Sequence, residues 1–143
     1  MAPRDGTGIA FASAQAMVNA IWSDLDLLYP PAVERLPRHA TATLASATRL
    51  SLFLPDRTPA WCLLHEVAHA MSSTDDGGSD GHGPIFMGLY VRLLVRYLRL
   101  DEESLVASLR EARISIARDA RPVFLDPEAE VLRKHSERTR APG

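Results

Sequence analysis

The stretch HEVAHAMSSTDDGGSDGHGPIF, residues 65–86, gathers three of the chain's five histidines around one glutamate. His65 and His69 stand four apart, and on an α-helix that spacing puts both on one face, about one 5.4 Å turn from each other. Both rings can then direct a nitrogen at one metal ion, at about 2.0–2.1 Å. Glu66 is offset from His65 by about 100° around the helix axis, so its carboxylate lies beside such an ion, where it can hold a water. This is the H-E-x-x-H arrangement. Zinc in a catalytic centre takes three protein ligands and keeps the fourth position open. His82 is the natural third ligand: the twelve residues 70–81 contain glycines that let the chain turn back, and Pro84 starts a helix just after it. Three neutral imidazoles leave zinc a full dication, which brings a bound water to a pKa of about 7. Glu66 is then placed to take the water's proton as a polarised carbonyl is attacked and to pass it to a leaving amine.

Several neighbours have a functional and a plain reading. Cys62, three residues before His65, either lines the site or is an inert, buried thiol. Asp75, Asp76 and Asp80 are alternative third ligands, partners of a ligating histidine, or simply a solvated loop. Tyr90 is an oxyanion donor or a core residue. Arg92, Arg96 and Arg99, at i, i+4 and i+7, form an anion patch or a solvated helix face. His39 and His135 have no evident partners and read as surface residues, Trp22 and Trp61 as core.

The elements that must position these residues follow from periodicity. Ala14, Met17, Val18, Ile21, Leu25 and Leu28 predict a helix over 13–28, with Ser13 as N-cap and Tyr29, Pro30 and Pro31 as its stop. A proline-bearing loop is expected to about Arg38. Alternation from His39 to Leu54 predicts two short antiparallel strands, Thr41 and Thr43 belonging to the first and residues 49–54 to the second. Thr58 and Pro59 predict an N-cap and first position for a helix over 59–72. The run IFMGLYVRLLVRYLRL after Pro84 is apolar almost all round, which predicts a helix buried on most sides. Asp101 is expected to cap a helix over 102–112 that turns Leu105, Val106 and Leu109 inward. Residues 114–117 read as a short strand or extended segment, and Asp126 and Pro127 as the start of a last helix, acidic at its head and basic at its tail.

Bulk properties set the frame. A chain of 143 residues, 46% hydrophobic and 24% charged, suits a single domain, with about 1–9 a loose arm and about 121–143 a C-terminal extension. A net charge of −2 gives no reason to expect nucleic acid or an anionic membrane as partner. Cys62 is the single cysteine, so neither an internal disulfide nor a cysteine-pair zinc ribbon is expected. No apolar run reaches roughly 18 residues, and the N-terminal sequence lacks a basic start followed by an apolar block. The expected location is cytoplasmic; oligomeric state is not indicated.

HEVAHAM followed by DGHGPIF resembles the SprT-like zinc metallopeptidases, which carry H-E-x-x-H-A, a variable linker, and H-G-P-x-F opening a helix. The resemblance covers about 48–100. It implies Zn2+ held by His65, His69 and His82, Glu66 as catalytic acid/base, and Gly83 and Phe86 as structural positions around the third ligand. It further implies a zincin-like α+β fold, a small antiparallel sheet packed against several helices including the H-E-x-x-H helix. An edge strand of that sheet, for which 49–54 is the candidate, would accept an extended peptide. A protein or peptide substrate follows from the same resemblance. Many SprT-like proteins add a zinc ribbon or DNA-binding modules, which one cysteine and no basic tail do not suggest here. The competing expectations are a non-catalytic zinc-bearing binding or regulatory module, its site closed by Asp80 or Cys62, and a metal-free helical interaction protein.

Overall fold

A computed structural model describes residues 8–36, 46–74 and 78–123. Among these, the order is β1 (Ile9–Ala10), α1 (Phe11–Asp24), β2 (Ala32–Arg35), β3 (Ser46–Ala47), β4 (Ser51–Leu54), β5 (Arg57–Thr58), α2 (Ala60–Met71), α3 (Pro84–Leu98) and α4 (Glu102–Glu111). This is an α+β fold. Residues 1–7 of the expected 1–9 arm, the strand around Thr41 and Thr43, the helix at Asp126, and His39, Asp75, Asp76 and His135 lie outside the described residues.

α2 and α3 form where apolar spacing and proline place them. The Pro59 carbonyl accepts from the N–H groups of Cys62 and Leu63, both at 3.0 Å, and so starts α2. Pro59 is therefore the N-cap, not the first helical residue, and Thr58 belongs to β5 instead of capping. Pro84 occupies the first turn of α3, where its missing N–H costs nothing. The two helices pack together, α2 through Leu63, Val67 and Met71, α3 through Phe86, Leu89 and Leu93, in one core with Val18, Trp22, Leu52 and Leu54. Asp101 caps α4 as expected, accepting from Ser104 N at 2.9 Å; only Val106 of that helix is fully buried. Arg92 and Arg96 are exposed, yet each ties α3 to other segments: Arg96 donates to Asp24 (2.8 Å) and Arg92 to the Arg118 carbonyl (3.1 Å).

The sheet differs from the expectation. It is mixed, in the order β2-β4-β3, with β2 parallel and β3 antiparallel to β4. β2 lies in the expected proline loop; its single inward residue, Val33, leaves no period to detect. The Val33 N–H donates to Gln15 Oε1 (2.7 Å) and Gln15 Nε2 donates to the Pro31 carbonyl (3.0 Å), so α1 sets the strand's position. β4 is consequently central, and among the described residues the edge next to α2 is β3. Arg49 and Leu50 precede the strand: the Thr48 hydroxyl accepts from Leu50 N and Ser51 N in a turn, which buries Arg49 and exposes Leu50. A separate antiparallel pair joins β1 and β5, drawing Ile9 out of the expected arm.

Helix α1 is shifted from the expected 13–28. It starts straight after β1, with Ala10 at the N-cap, so Ser13 lies inside the first turn. It stops at Asp24 because Trp22 Nε1 donates to the Leu28 carbonyl at 2.7 Å, which requires the chain to turn back, with Asp26 in the left-handed region at φ 61°.

Residues 114–117 are extended without pairing as a strand and lie across α3: Ala117 N donates to the Pro84 carbonyl at 3.0 Å, and Val123 N to the Met71 carbonyl at 2.7 Å. Gly88 permits this approach, since a Cβ there would overlap the Ala117 carbonyl. Gly88→Ala is therefore expected to destabilise the protein by about 1–3 kcal/mol, the cost of overpacking against backbone that must move. Denaturant unfolding checks the magnitude, and hydrogen exchange at Ala117 and Val123 checks that this segment is what loosens.

Candidate metal centre

The geometry of the site begins with the turn DGHGP. Gly81 has φ +64°, a region that L-residues with side chains avoid. Asp80 N-caps the next helix from outside it: its carboxylate accepts from Ile85 N at 2.7 Å and Phe86 N at 3.3 Å, and its carbonyl accepts from Gly83 N at 2.9 Å. A Cβ on Gly83 would sit 2.7 Å from that carboxylate, so glycine is needed for the cap to close. The result holds His82 immediately ahead of α3. Asp80 thus stands outside the histidine group and is engaged at the start of α3, a role that the sequence signals only by an aspartate four residues before Pro84.

The three histidines converge. His69 Nε2 and His82 Nε2 are 3.1 Å apart, and one nitrogen from each of His65, His69 and His82 lies within 4.8 Å of the others. Two nitrogens on one tetrahedral zinc at about 2.05 Å stand roughly 3.3 Å apart, close to the separation of the His69–His82 pair. Among the described residues no other His, Cys, Asp or Glu joins this group. Burial, followed by the nearby charge of His65, lowers His69 to about 4, which keeps it in the neutral, ligating form at pH 7.

Glu66 is 4% exposed, and His65 Nδ1 lies 3.2 Å from its Oε2. In the tautomer that donates this proton, the lone pair of His65 Nε2 is free for a metal, and the carboxylate keeps further acceptor sites. Three imidazole nitrogens brought this close are a donor set that could hold a divalent metal ion. The group lies in a cleft of about 440 Å³, lined by Ser46, Ala47, Trp61, Cys62, His65, Glu66, His69 and His82.

Other side chains fall differently from their plain readings. Cys62 is half-buried in the cleft wall, its thiol pushed up by burial and then by Glu66. Tyr90 packs edge-on against His65 at 5.2 Å, but its hydroxyl donates to the Trp61 carbonyl at 3.2 Å. Trp22 is core, whereas Trp61 is not: it is 44% exposed at the mouth of the cleft. Four-residue spacing from His65 marks Trp61 as sharing the ligand face, but nothing in the sequence marks that face as open.

Removing the Asp80 carboxylate leaves two N–H groups of α3 uncapped. Asp80→Ala is expected to cost about 1–2 kcal/mol, typical of a lost cap, and to lower roughly tenfold whatever affinity the three histidines have for added zinc. Asp80→Asn, which keeps one acceptor oxygen, falls between. Chelator competition and thermal unfolding on the same preparations measure the two effects. Comparisons with protein-family models, with curated proteins and with solved structures give no match, so the reading of this centre stands on the chain's own residues.

Proposed function

We propose that this chain is a zinc-dependent hydrolase with a zincin-like site, acting on a peptide bond of a protein or peptide substrate. The observation that carries the reading is the convergence of three imidazole nitrogens within 4.8 Å, beside a buried carboxylate, in a solvent-open cleft. His65, His69 and His82 are the residues that would hold the ion. Zinc bound there supplies a Lewis acid that polarises a carbonyl and acidifies water at neutral pH. Glu66 accepts the proton of the attacking water and delivers it to the leaving amine. Its burial excludes bulk water from the carboxylate and strengthens each interaction it makes.

The choice of a peptide comes from the resemblance to SprT-like metallopeptidases. The edge strand that the resemblance calls for corresponds to β3, because β4 is paired on both sides. β3 lines the cleft and has no outer strand partner among the described residues. The alternative, a non-catalytic zinc module, requires a closed, four-coordinate site. Asp80 is engaged at the N-terminus of α3 and Cys62 stands outside the ligand group, which favours an open site.

Elemental analysis is expected to find near one zinc per chain in the wild type and a marked loss in His82→Ala. Glu66→Gln should keep its zinc and lose about 10²–10⁴-fold in kcat on peptide substrates. A wild type that takes up no zinc on reconstitution would sink the hydrolase reading, and full activity in Glu66→Gln would remove Glu66 from it.

A further inference from the structure

Trp61 is the only exposed residue of α2. Burying an indole is among the larger gains open to a side chain, yet Trp61 remains 44% exposed while Trp22 is 1% exposed in the core. It stands one helical turn before His65 on the same face and lines the cleft with Cys62 and, from β3, Ser46 and Ala47. Its backbone is fixed. Tyr90 donates to the Trp61 carbonyl, and the Tyr90 ring packs on both His65 (5.2 Å) and Phe86 (5.6 Å). The point on α2 from which the indole projects is therefore held in place relative to the three histidines.

The wall made by Trp61, Cys62 and Ala47 carries no ionised side chain, whereas the ionisable groups of the cleft gather around the histidines. Ser46 and Ala47 are small, which leaves the cleft its volume. We propose that Trp61 is a specificity-determining residue, whose indole receives an uncharged apolar side chain, aromatic or long aliphatic, of a peptide bound in the cleft. The identity of the ligand as a peptide rests on the hydrolase reading. An ionised side chain laid on this wall loses water and finds no partner. An aromatic one gains offset or edge contact with the indole, and an aliphatic one buries apolar area. An ammonium or guanidinium is the chemical competitor, since it is drawn to an indole face.

The test uses zinc-loaded Glu66→Gln protein, which binds without cleaving, and blocked pentapeptides that differ only at the central residue: Phe, Leu, Gly, Lys or Asp. The chain has two tryptophans, so a nitrogen–proton correlation spectrum contains two indole signals, and the one lost on adding Trp61→Ala belongs to Trp61. The Phe and Leu peptides should move that signal and bind at least about tenfold tighter than the Gly and Asp peptides. Adding Trp61→Ala, with zinc content and circular dichroism unchanged, should bring the difference within about twofold, whereas Trp61→Phe should retain most of it. A still Trp61 signal, tightest binding of the Lys peptide, or a preference that survives Trp61→Ala overturns the proposal. Failure of the hydrolase reading registers elsewhere, as zinc-loaded wild type that cleaves none of the five peptides, and leaves a binding preference measured in Glu66→Gln intact.

Discussion

The ring of Phe86 is the contact on which the site depends. It is 1% exposed and touches all three histidines: stacked on His69 at 4.3 Å, edge-on to His65 at 5.1 Å and to His82 at 5.0 Å. Two of these rings come from α2 and the third from the turn before α3, so Phe86 joins the two elements where the histidines converge. Each aromatic pair adds about 0.5–1.5 kcal/mol beyond area burial. The same packing has an electrostatic consequence. Three imidazoles this close repel one another when protonated, and desolvation against apolar surface holds His69 neutral. The packing that gathers the three rings also keeps His69 neutral, the form a metal ion would need.

Helix α2 divides its circumference between two demands. Leu63, Leu64, Val67, Ala68, Ala70 and Met71 supply the core, His65 and His69 are half-buried at its boundary, and Trp61 faces outward. Glu66 falls on the buried side. A buried carboxylate costs free energy unless well partnered, and Glu66 meets His65 Nδ1 at 3.2 Å. An apolar residue at position 66 would extend the core at no such cost. The fold therefore carries a local penalty at the one carboxylate that stands beside the imidazole cluster.

Much of this was legible in the sequence because the signals were local. The spacing of HEVAH, with Pro59 and Pro84 as helix starters, located α2 and α3 to within a residue or so and put His65 and His69 on one face. Asp101 announced its own cap. What stayed hidden was set by non-local contacts. β2 exists because Gln15 and β4 offer hydrogen bonds to a segment with one inward residue. Parallel pairing of β2 turned β4 from an edge into a centre, and no periodicity within 49–54 can report on that. The alternation of Arg49 and Leu50 misled because the Thr48 turn reverses their exposure. Trp61 read as core since an isolated aromatic on an amphipathic helix usually is.

His82 is the most exposed of the three histidines, and backbone bonds fix it where burial does not. The connection from α2 to α3 is closed at its base by the Ser73–Ser79 bridge and by Thr74 N donating to the Gly78 carbonyl at 2.7 Å. Ser73 Oγ donates to the His69 carbonyl at 2.6 Å, satisfying a group that the end of α2 leaves without a helical partner. The segment over 114–123, which turns at 118–119, then holds both flanks, since Ala117 and Val123 bond to Pro84 and Met71, the first residue of α3 and the last of α2. The ends of the loop that presents His82 are thus set by residues some 30–50 positions away in the chain. A solvent-facing histidine can hold its place in this way because its mobility is that of the backbone around it. That backbone is anchored to the helix carrying the other two.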